Sequence, residues 1–184
     1  MLKSLVILLA VVCPTSGCGE WFNTTAQQPF PHDPYDHPFP VNATNTAGSQ
    51  RNSGFFCGAK GMAGAMRDTS AGWLCITADQ AHRSGSYLYP GSYAVLYARY
   101  LHDPVLQLST ATNPIPKNAI PWPHGTFPTY LCAAPDDGGV LEGGQLFDTP
   151  GTGPQCLITT LESLGMITTP YNPGSYYVLV GTVC

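Results

Sequence analysis

Two histidines and two aspartates lie within six consecutive residues near the N-terminus of this chain. They are His32, Asp33, Asp36 and His37, and they are interspersed with proline and tyrosine. Imidazole and carboxylate groups at this spacing are suited to bind a divalent transition metal. The same residues also favour turns between prolines, because an Asp side chain accepts hydrogen bonds from amides two residues further on. The turn is the preferred interpretation, so we expect no metal site and no cofactor.

Aspartates elsewhere have the chemistry that glycoside hydrolysis uses. Asp68 and Asp148 have the residue type of an acid and base pair, but each is followed by Thr and a nearby Gly, which is typical of a turn. Asp136 and Asp137 adjoin two glycines, yet a calcium ion takes about six to eight oxygen ligands. The chain contains no Gly-x-Ser-x-Gly, His-Glu-x-x-His or phosphate-binding glycine motif. We therefore predict that the protein is not an enzyme.

Cysteine spacing carries more information than the acidic residues. Cys13 lies in an N-terminal segment of leader type. Six cysteines follow it: Cys18, Cys57, Cys75, Cys132, Cys156 and Cys184. An even number of cysteines in an exported chain indicates a disulfide framework. None of them forms a Cys-x-x-Cys pair, which argues against a zinc knuckle or a thioredoxin-like redox site.

The N-terminus has the pattern of an export signal. Lys3 precedes an apolar run over residues 5–12 and then small residues, so we predict a signal peptide over residues 1–17 and a secreted, extracellular protein. No later apolar run approaches the ~20 residues that cross a bilayer, and we expect no membrane span. Cleavage would leave Cys18 first in the mature chain. Cys18 then either carries a lipid or enters a disulfide, and the even count favours the disulfide.

Composition excludes several classes of protein. Charged residues make up 10% of the 184 residues, against about 25% in ordinary globular proteins. The 20 glycines and 18 prolines exclude long helices, and the 43% hydrophobic content excludes a wholly disordered chain. A formal net charge of −4 provides no positive field for nucleic acid. Asn23 and Asn42 begin N-glycosylation sequons, which we expect to carry glycans in a eukaryotic host.

An internal repeat organises the rest of the chain. Residues 90–96 (PGSYAVL) and 173–179 (PGSYYVL) are identical at six of seven positions. Upstream of each, an Asp-Thr turn and a Cys followed by Thr recur at similar spacing, and small loop insertions account for the variable offset. We interpret this pattern as a tandem duplication. It predicts disulfides Cys57–Cys75 and Cys132–Cys156, because these cysteines correspond, and it leaves Cys18–Cys184 as the third pair.

The repeats indicate an all-β fold. Their Tyr- and Val-rich runs follow Pro-Gly turns and lack helix caps, which is typical of strands. Two units of this size share one core more readily than they fold alone, so we expect a disulfide-stapled, sandwich-like domain. The predicted organisation is a signal peptide over 1–17, an extended Pro-rich arm over 18–54, β-repeat 1 over 55–112, a Pro-rich connector over 113–129 and β-repeat 2 over 130–184.

Two functions from different classes fit these features. The first is a glycosylated structural protein that assembles with copies of itself into a fibre, coat or matrix through its N-terminal arm, for example by strand addition. The arm has an alternative place on its own domain, which would leave a monomer. The second is a lectin-like module with two repeat-related glycan sites. Candidate contacts for a partner or glycan are the aromatic residues Tyr93, Tyr176, Trp122, Phe30, Tyr35 and Phe39.

Overall fold

The computed structural model describes residues 21–24, 38–39, 41, 54–69, 72–78, 86–89, 93–97, 101–122, 129–136, 138–162 and 165–183. These residues form strands and no helix, so the expectation of an all-β fold is confirmed. The strands are β1 (Trp21–Thr24), β2 (Phe56–Ala59), β3 (Met62–Thr69), β4 (Gly72–Ala78), β5 (Ser86–Tyr89), β6 (Tyr93–Leu96), β7 (Leu101–Leu108), β8 (Tyr130–Pro135), β9 (Leu141–Thr149), β10 (Gly153–Glu162), β11 (Gly165–Tyr171) and β12 (Tyr177–Val183). No helix in this part of the chain has the length and apolar character needed to cross a membrane.

The strands form two six-stranded antiparallel sheets that have the same strand order. The first sheet is β1-β6-β2-β3-β4-β5, and the second, read from its corresponding edge, is β7-β12-β8-β9-β10-β11. Each strand of the second sheet therefore takes the place of the strand six positions earlier in the chain. The two sheets pack on each other in the manner of a sandwich, with β3 and β4 against β9 and β10.

The pairing registers of the two sheets also agree. In each sheet the first cysteine lies opposite a glycine, and the second cysteine lies opposite the residue two positions after that glycine. The pairs are Cys57 with Gly64 and Met66 with Cys75 in the first sheet, and Cys132 with Gly144 and Leu146 with Cys156 in the second. We call residues that take the same place in the two sheets equivalent.

A proline-rich segment lies at the same place in each sheet. The amide of Phe39 donates a hydrogen bond of 2.7 Å to the carbonyl oxygen of Leu96, and the amide of Ile120 donates one of 2.9 Å to that of Leu179. The carbonyl oxygens of Phe39 and Ile120 accept bonds from the backbone of β2 and of β8. Pro38, Phe39 and Val41 of the predicted arm are thus equivalent to Ala119, Ile120 and Trp122 of the predicted connector.

Each sheet is sharply bent around its middle strand. The disulfide Cys57–Cys75 joins β2 to β4 across β3, with the Cα atoms 6.0 Å apart. Two steps across a flat sheet would separate them by about 9.5 Å. Cys132–Cys156 joins β8 to β10 at the same Cα separation of 6.0 Å. The sheets fold over the middle strand to bring the cysteines together, and both disulfides have the partners that the repeat predicts.

Glycine in the middle strand makes this bend possible. A Cβ atom at Gly64 would overlap the carbonyl oxygen of Ile76 on β4, and one at Gly144 would overlap that of Leu157 on β10. Any side chain at either position would push the neighbouring strands apart. The two glycines therefore allow the close approach that the disulfides then hold.

Three large apolar clusters form the core of the described part of the chain. The central cluster lies between the sheets and includes Phe56 and Ala65 from the first sheet with Leu131 and Leu179 from the second. Each sheet also encloses its own disulfide in a further cluster. The cluster of the first sheet contains Cys57, Ala59, Met66, Cys75, Tyr93, Val95 and Tyr97. The equivalents of all of these lie in the cluster of the second sheet: Cys132, Ala134, Leu146, Cys156, Tyr176, Val178 and Val180.

Alternation along the strands explains how one strand serves two clusters. Phe56 faces the central cluster and Cys57 faces the disulfide cluster of its own sheet, because successive side chains point to opposite faces. Strands β2 and β8 are therefore buried on both faces, which is why their residues are almost all apolar or small.

The structure differs from the expected organisation at three places. Residues 101–108, assigned from the sequence to repeat 1, form β7 and pair with β12 in the second sheet. The described arm residues are bonded to the chain's own first sheet, with β1 on β6. Finally, β12 pairs with β7 on one side, and on the other side with β8 at Tyr177 and Val178 and with residues 118–120 beyond them. The apolar part of this C-terminal strand therefore offers no free edge.

Candidate interaction surface

The two tyrosines predicted to contact a glycan or partner lie inside the protein. Tyr93 and Tyr176 are 2% and 0% exposed. The hydroxyl of Tyr93 donates to the carbonyl oxygen of Trp73 at 3.1 Å, and that of Tyr176 donates to the carbonyl oxygen of Pro114 at 3.1 Å. Neither ring has a free face for a sugar, so their role is to fill the disulfide clusters and anchor nearby backbone.

Burial controls the acidity of both phenols. It raises the pKa of Tyr93 to about 12, and the neighbouring Tyr97 adds to the rise. It also raises the pKa of Tyr176 to about 12, although a hydrogen bond with Ser109 acts in the opposite direction. Both tyrosines therefore remain neutral across the physiological pH range.

Trp122 and Phe39, two further predicted contacts, also belong to the core. Both lie in the central cluster between the sheets, and the ring of Phe39 stacks near that of Phe56 with centroids 6.4 Å apart. The edge of the Trp122 ring lies against Gly58, where any Cβ atom would overlap it. These aromatic side chains hold the two sheets together and are not available to a partner.

Several other predicted sites lie outside the described residues. These are Cys18, Cys184, Phe30, Tyr35, Asn42, and the His32, Asp33, Asp36 and His37 cluster. The backbone of Asn23 is described and lies in β1 opposite Ala94, whereas its side chain is outside the described part. The Cys18–Cys184 pairing and the two glycans therefore stay predictions.

The acidic residues of the described chain have structural roles or point to solvent. Asp136 begins a tight turn, and its Oδ1 atom accepts hydrogen bonds from the amides of Gly138 at 2.9 Å and Val140 at 2.8 Å. Asp68 and Asp148 are exposed at equivalent places on the β3–β4 and β9–β10 hairpins. Among the described residues no group of three or more His, Cys, Asp or Glu side chains is placed to hold a metal ion.

A buried ion pair joins the two sheets. The guanidinium of Arg67 on β3 pairs with the carboxylate of Glu142 on β9, and their side chains are 14% and 6% exposed. Burial lowers the pKa of Arg67, while the negative charge of Asp136 raises it. Beside this pair, the amide of Ala63 donates to Oε1 of Gln145 at 2.7 Å, also across the sheets. Polar contacts of this kind fix how one sheet sits on the other.

The outer edge of the second sheet presents the clearest accessible surface. Within the described part of the chain, strand β7 pairs with β12 alone and lies at the end of the sheet, so no described strand pairs with the backbone groups of its other side. Val105 and Leu108 on this strand are 45% and 47% exposed, which makes them the exposed large apolar residues of the described chain. An eight-residue edge strand with apolar side chains is a template for pairing with another strand.

The start of β7 is less suited to pairing than its end. Asp103 has a positive φ of 50°, Pro104 lacks an amide hydrogen, and the pairing with β12 shifts register between Val180 and Thr182. Such irregularities twist an edge away from a new partner. The regular part, over residues 105–108, coincides with the exposed apolar side chains.

Sequence reasoning missed this edge for an identifiable reason. Residues 101–108 include Asp103 and Pro104, which weaken a strand pattern, and the strand alternates only in its second half. The run Val-Leu-Gln-Leu at 105–108 was the signal that could have identified it. Its position at a free edge follows from long-range pairing with β12 and leaves no local trace.

Comparison of the chain with protein-family models, with curated proteins and with solved structures finds no match.

Proposed function

We propose that this chain is a secreted, glycosylated structural protein that associates with copies of itself through the free edge of β7, as a subunit of an extracellular fibre, coat or matrix. The single observation that carries the proposal is the edge strand with exposed Val105 and Leu108. A strand of a second copy added there would satisfy the unpaired backbone groups and cover both apolar side chains.

Other features support the extracellular part of the proposal. Two disulfides with both cysteines buried fit an oxidising compartment. The leader-like residues 1–17 and the sequons at Asn23 and Asn42 fit export. A surface with few charges, from a chain with 10% charged residues, gains solubility from hydroxyls, amides and glycans, or is covered by partners.

The structure favours the β7 edge over the N-terminal arm as the means of association. Phe39 and Val41 of the arm are buried in the chain's own central cluster. An arm that joined a neighbouring copy would have to leave this cluster first, whereas β7 needs no rearrangement. We also propose that the two sheets derive from duplication of one six-stranded unit, since their strand order, registers and disulfides correspond.

The test is the association state of the full, oxidised and secreted chain. Sedimentation velocity over a range of concentrations should show association of the native protein. Val105→Lys and Leu108→Lys place charge on the edge and should make the protein monomeric without changing its thermal midpoint. Ala111→Lys is the matched control, because it adds the same charge at an exposed position outside the strand. A native protein that stays monomeric at high concentration, or edge variants that associate normally, would reject the proposal.

A further inference from the structure

The contacts between the two sheets follow a two-fold pattern. Strand β3 packs on its equivalent β9, β4 on β10 and β5 on β11, while β4 also reaches β9 and β10 reaches β3. This is the arrangement of two like subunits around a symmetry axis, in which every contact has a mate with the partners exchanged. The interface between the sheets is therefore built like the interface of a homodimer, although one chain supplies both halves.

The side chains at this interface break that symmetry at three places. The symmetry-related mate of a contact joins the equivalents of its two residues. For the ion pair of Arg67 and Glu142 these equivalents are Phe147 and Met62, which carry no charge. Trp122 against Gly58 has Val41 and Ala133 at the mate positions. Gln145 accepts a hydrogen bond from the amide of Ala63, whereas its equivalent in the first sheet is Ala65, which has no side-chain acceptor. A Cβ atom built on Gly143, the equivalent of Ala63, would lie 3.2 Å from the Cβ atom of Ala65.

Pairing of like sheets in the same geometry would be unfavourable. Two first sheets would place Met62 opposite Arg67 where Glu142 now lies, and Val41 would leave the space above Gly58 unfilled. Two second sheets would bury Glu142 against Phe147 and place the Trp122 ring where Ala133 has a Cβ atom. A buried charge without a partner and an overlapping ring both disfavour the wrong pair, which is how specific interfaces reject alternatives.

We infer that the face between the sheets is a heterospecific pairing surface, and that the first sheet of one copy fits the second sheet of another copy as well as its own. Each sheet encloses its own disulfide cluster, so it keeps its internal core when the other sheet departs. Only residues 98–100 separate the end of the first sheet at Tyr97 from the start of β7. Exchange of sheets between copies would recreate every contact described above without a new one. This inference does not depend on the β7 edge.

A charge-exchange experiment tests it with full-length chains. Arg67→Glu places two carboxylates at the ion pair within one copy, and Glu142→Arg places two cations there. Produced together in a secretory host, the two variants can restore both pairs only by exchanging sheets. The glutamate introduced at position 67 would then meet the arginine introduced at position 142, and the native Arg67 would meet the native Glu142. With Val105→Lys and Leu108→Lys added to both chains to block association through β7, native mass spectrometry should show a one-to-one heterodimer that neither variant forms alone.

The matched control is the double variant Arg67→Glu with Glu142→Arg, which restores the pair within one copy. In the same edge-blocked background it should be monomeric, with a thermal midpoint well above that of either single variant. A folded double variant without heterodimer from the mixed single variants would overturn the inference.

A second measurement avoids any change of charge. Ala65→Cys in one chain and Gly143→Cys in another should form a disulfide between copies in the oxidising secretory compartment once the backbone at Gly143 shifts by a few tenths of an ångström. The two Cβ positions lie 3.2 Å apart across the sheets, slightly closer than the usual ~3.5–4.5 Å, and the new Cβ atom would lie 2.9 Å from Cγ2 of Val41. The double cysteine variant should form the same bond within one chain. Peptide mapping that finds the 65–143 bond within the double variant but none between co-produced single variants would contradict exchange, whatever the behaviour of the charge variants.

Discussion

Trp122 lies over Gly58, so a residue of one sheet occupies space that the other sheet leaves free by having no side chain. The ring belongs to the second sheet and to the central cluster, and the glycine belongs to the first sheet. The equivalent positions hold Val41, which is smaller than Trp122, and Ala133, which is larger than Gly58. The two halves of the interface thus fill equivalent spaces with side chains of different size.

Gly58→Ala should destabilise the protein because its methyl group overlaps the Trp122 ring. We expect a loss of about 1–3 kcal/mol in the free energy of unfolding, the usual cost of overpacking a core. Trp122→Val alone should also destabilise, by leaving a cavity. Urea unfolding followed by circular dichroism measures both.

The double variant Gly58→Ala with Trp122→Val makes this site resemble the equivalent one, which holds Val41 and Ala133. It should lose less stability than the sum of the two single variants. Additive losses would show that the two positions do not pack together.

Gly64→Ala and Gly144→Ala should be among the most damaging single changes in either sheet. In each case the new methyl group overlaps a backbone carbonyl oxygen, which cannot rotate away as a side chain can. We expect losses of about 3 kcal/mol or more, at the upper end of overpacking. Gly181→Ala is the control, because its Cβ atom would lie 3.3 Å from the carbonyl oxygen of His102. Equal thermal midpoints for all three variants would contradict the close approach at the bends.

Removal of either disulfide should reduce stability by a similar amount. Cys57 and Cys75 are 18 residues apart, and Cys132 and Cys156 are 24 apart. Chain-entropy arguments give about 3 kcal/mol for loops of this length. Replacing each pair by alanines and measuring the guanidinium midpoint tests this expectation. A pair whose loss leaves the midpoint unchanged would show that its bent sheet is held by packing alone.

Alkaline pH should destabilise the fold through its buried tyrosines. The pKa of Tyr93 and of Tyr176 is about 12 in the folded protein, against 10.0 for an ordinary phenol. Above about pH 10 the unfolded chain loses these protons while the folded chain retains them. Deprotonation therefore lowers the free energy of the unfolded state relative to that of the folded state. The stability they contribute is fully present below about pH 10 and is lost as the pH rises towards 12.

Urea midpoints measured from about pH 9 to about pH 11.5 should therefore decline. Tyr93→Phe and Tyr176→Phe should each make the decline shallower, while Tyr177→Phe, at a partly buried position, serves as the control. A slope that is the same in all three variants would argue against buried neutral phenols.

The correspondence of the two sheets is visible in the sequence where equivalent residues have the same chemistry. The PGSY runs ending in Leu96 and Leu179 form turns and strands with the same local demands in both sheets, so they have similar residues. The disulfide partners Cys57 and Cys75 followed from that correspondence. The same runs mark Tyr93 and Tyr176 as equivalent but do not predict that they are buried, because a strand pattern does not reveal that both faces of a sheet are covered.

Equivalence was hidden where only the backbone is shared. Phe39 and Ile120 accept and donate the same hydrogen bonds in the two sheets, yet their side chains differ, so the proline-rich segments resembled an arm and a connector. Strand β7 was hidden for a related reason, since its partner β12 lies about 70 residues further along the chain. Main-chain pairing over such a distance places few restrictions on residue type.

The sequence by itself determined the class of this protein: all-β, with two disulfides between corresponding cysteines, little charge and a leader-like N-terminus. Those properties depend on residue types and on short spacings in the chain, so they do not require knowledge of which distant residues meet. Only the tertiary structure decided which strands form the edges, which aromatic residues are buried and how Arg67 meets Glu142 between the sheets. These relationships join residues that are distant in the chain, and side-chain packing between two bent sheets selects them.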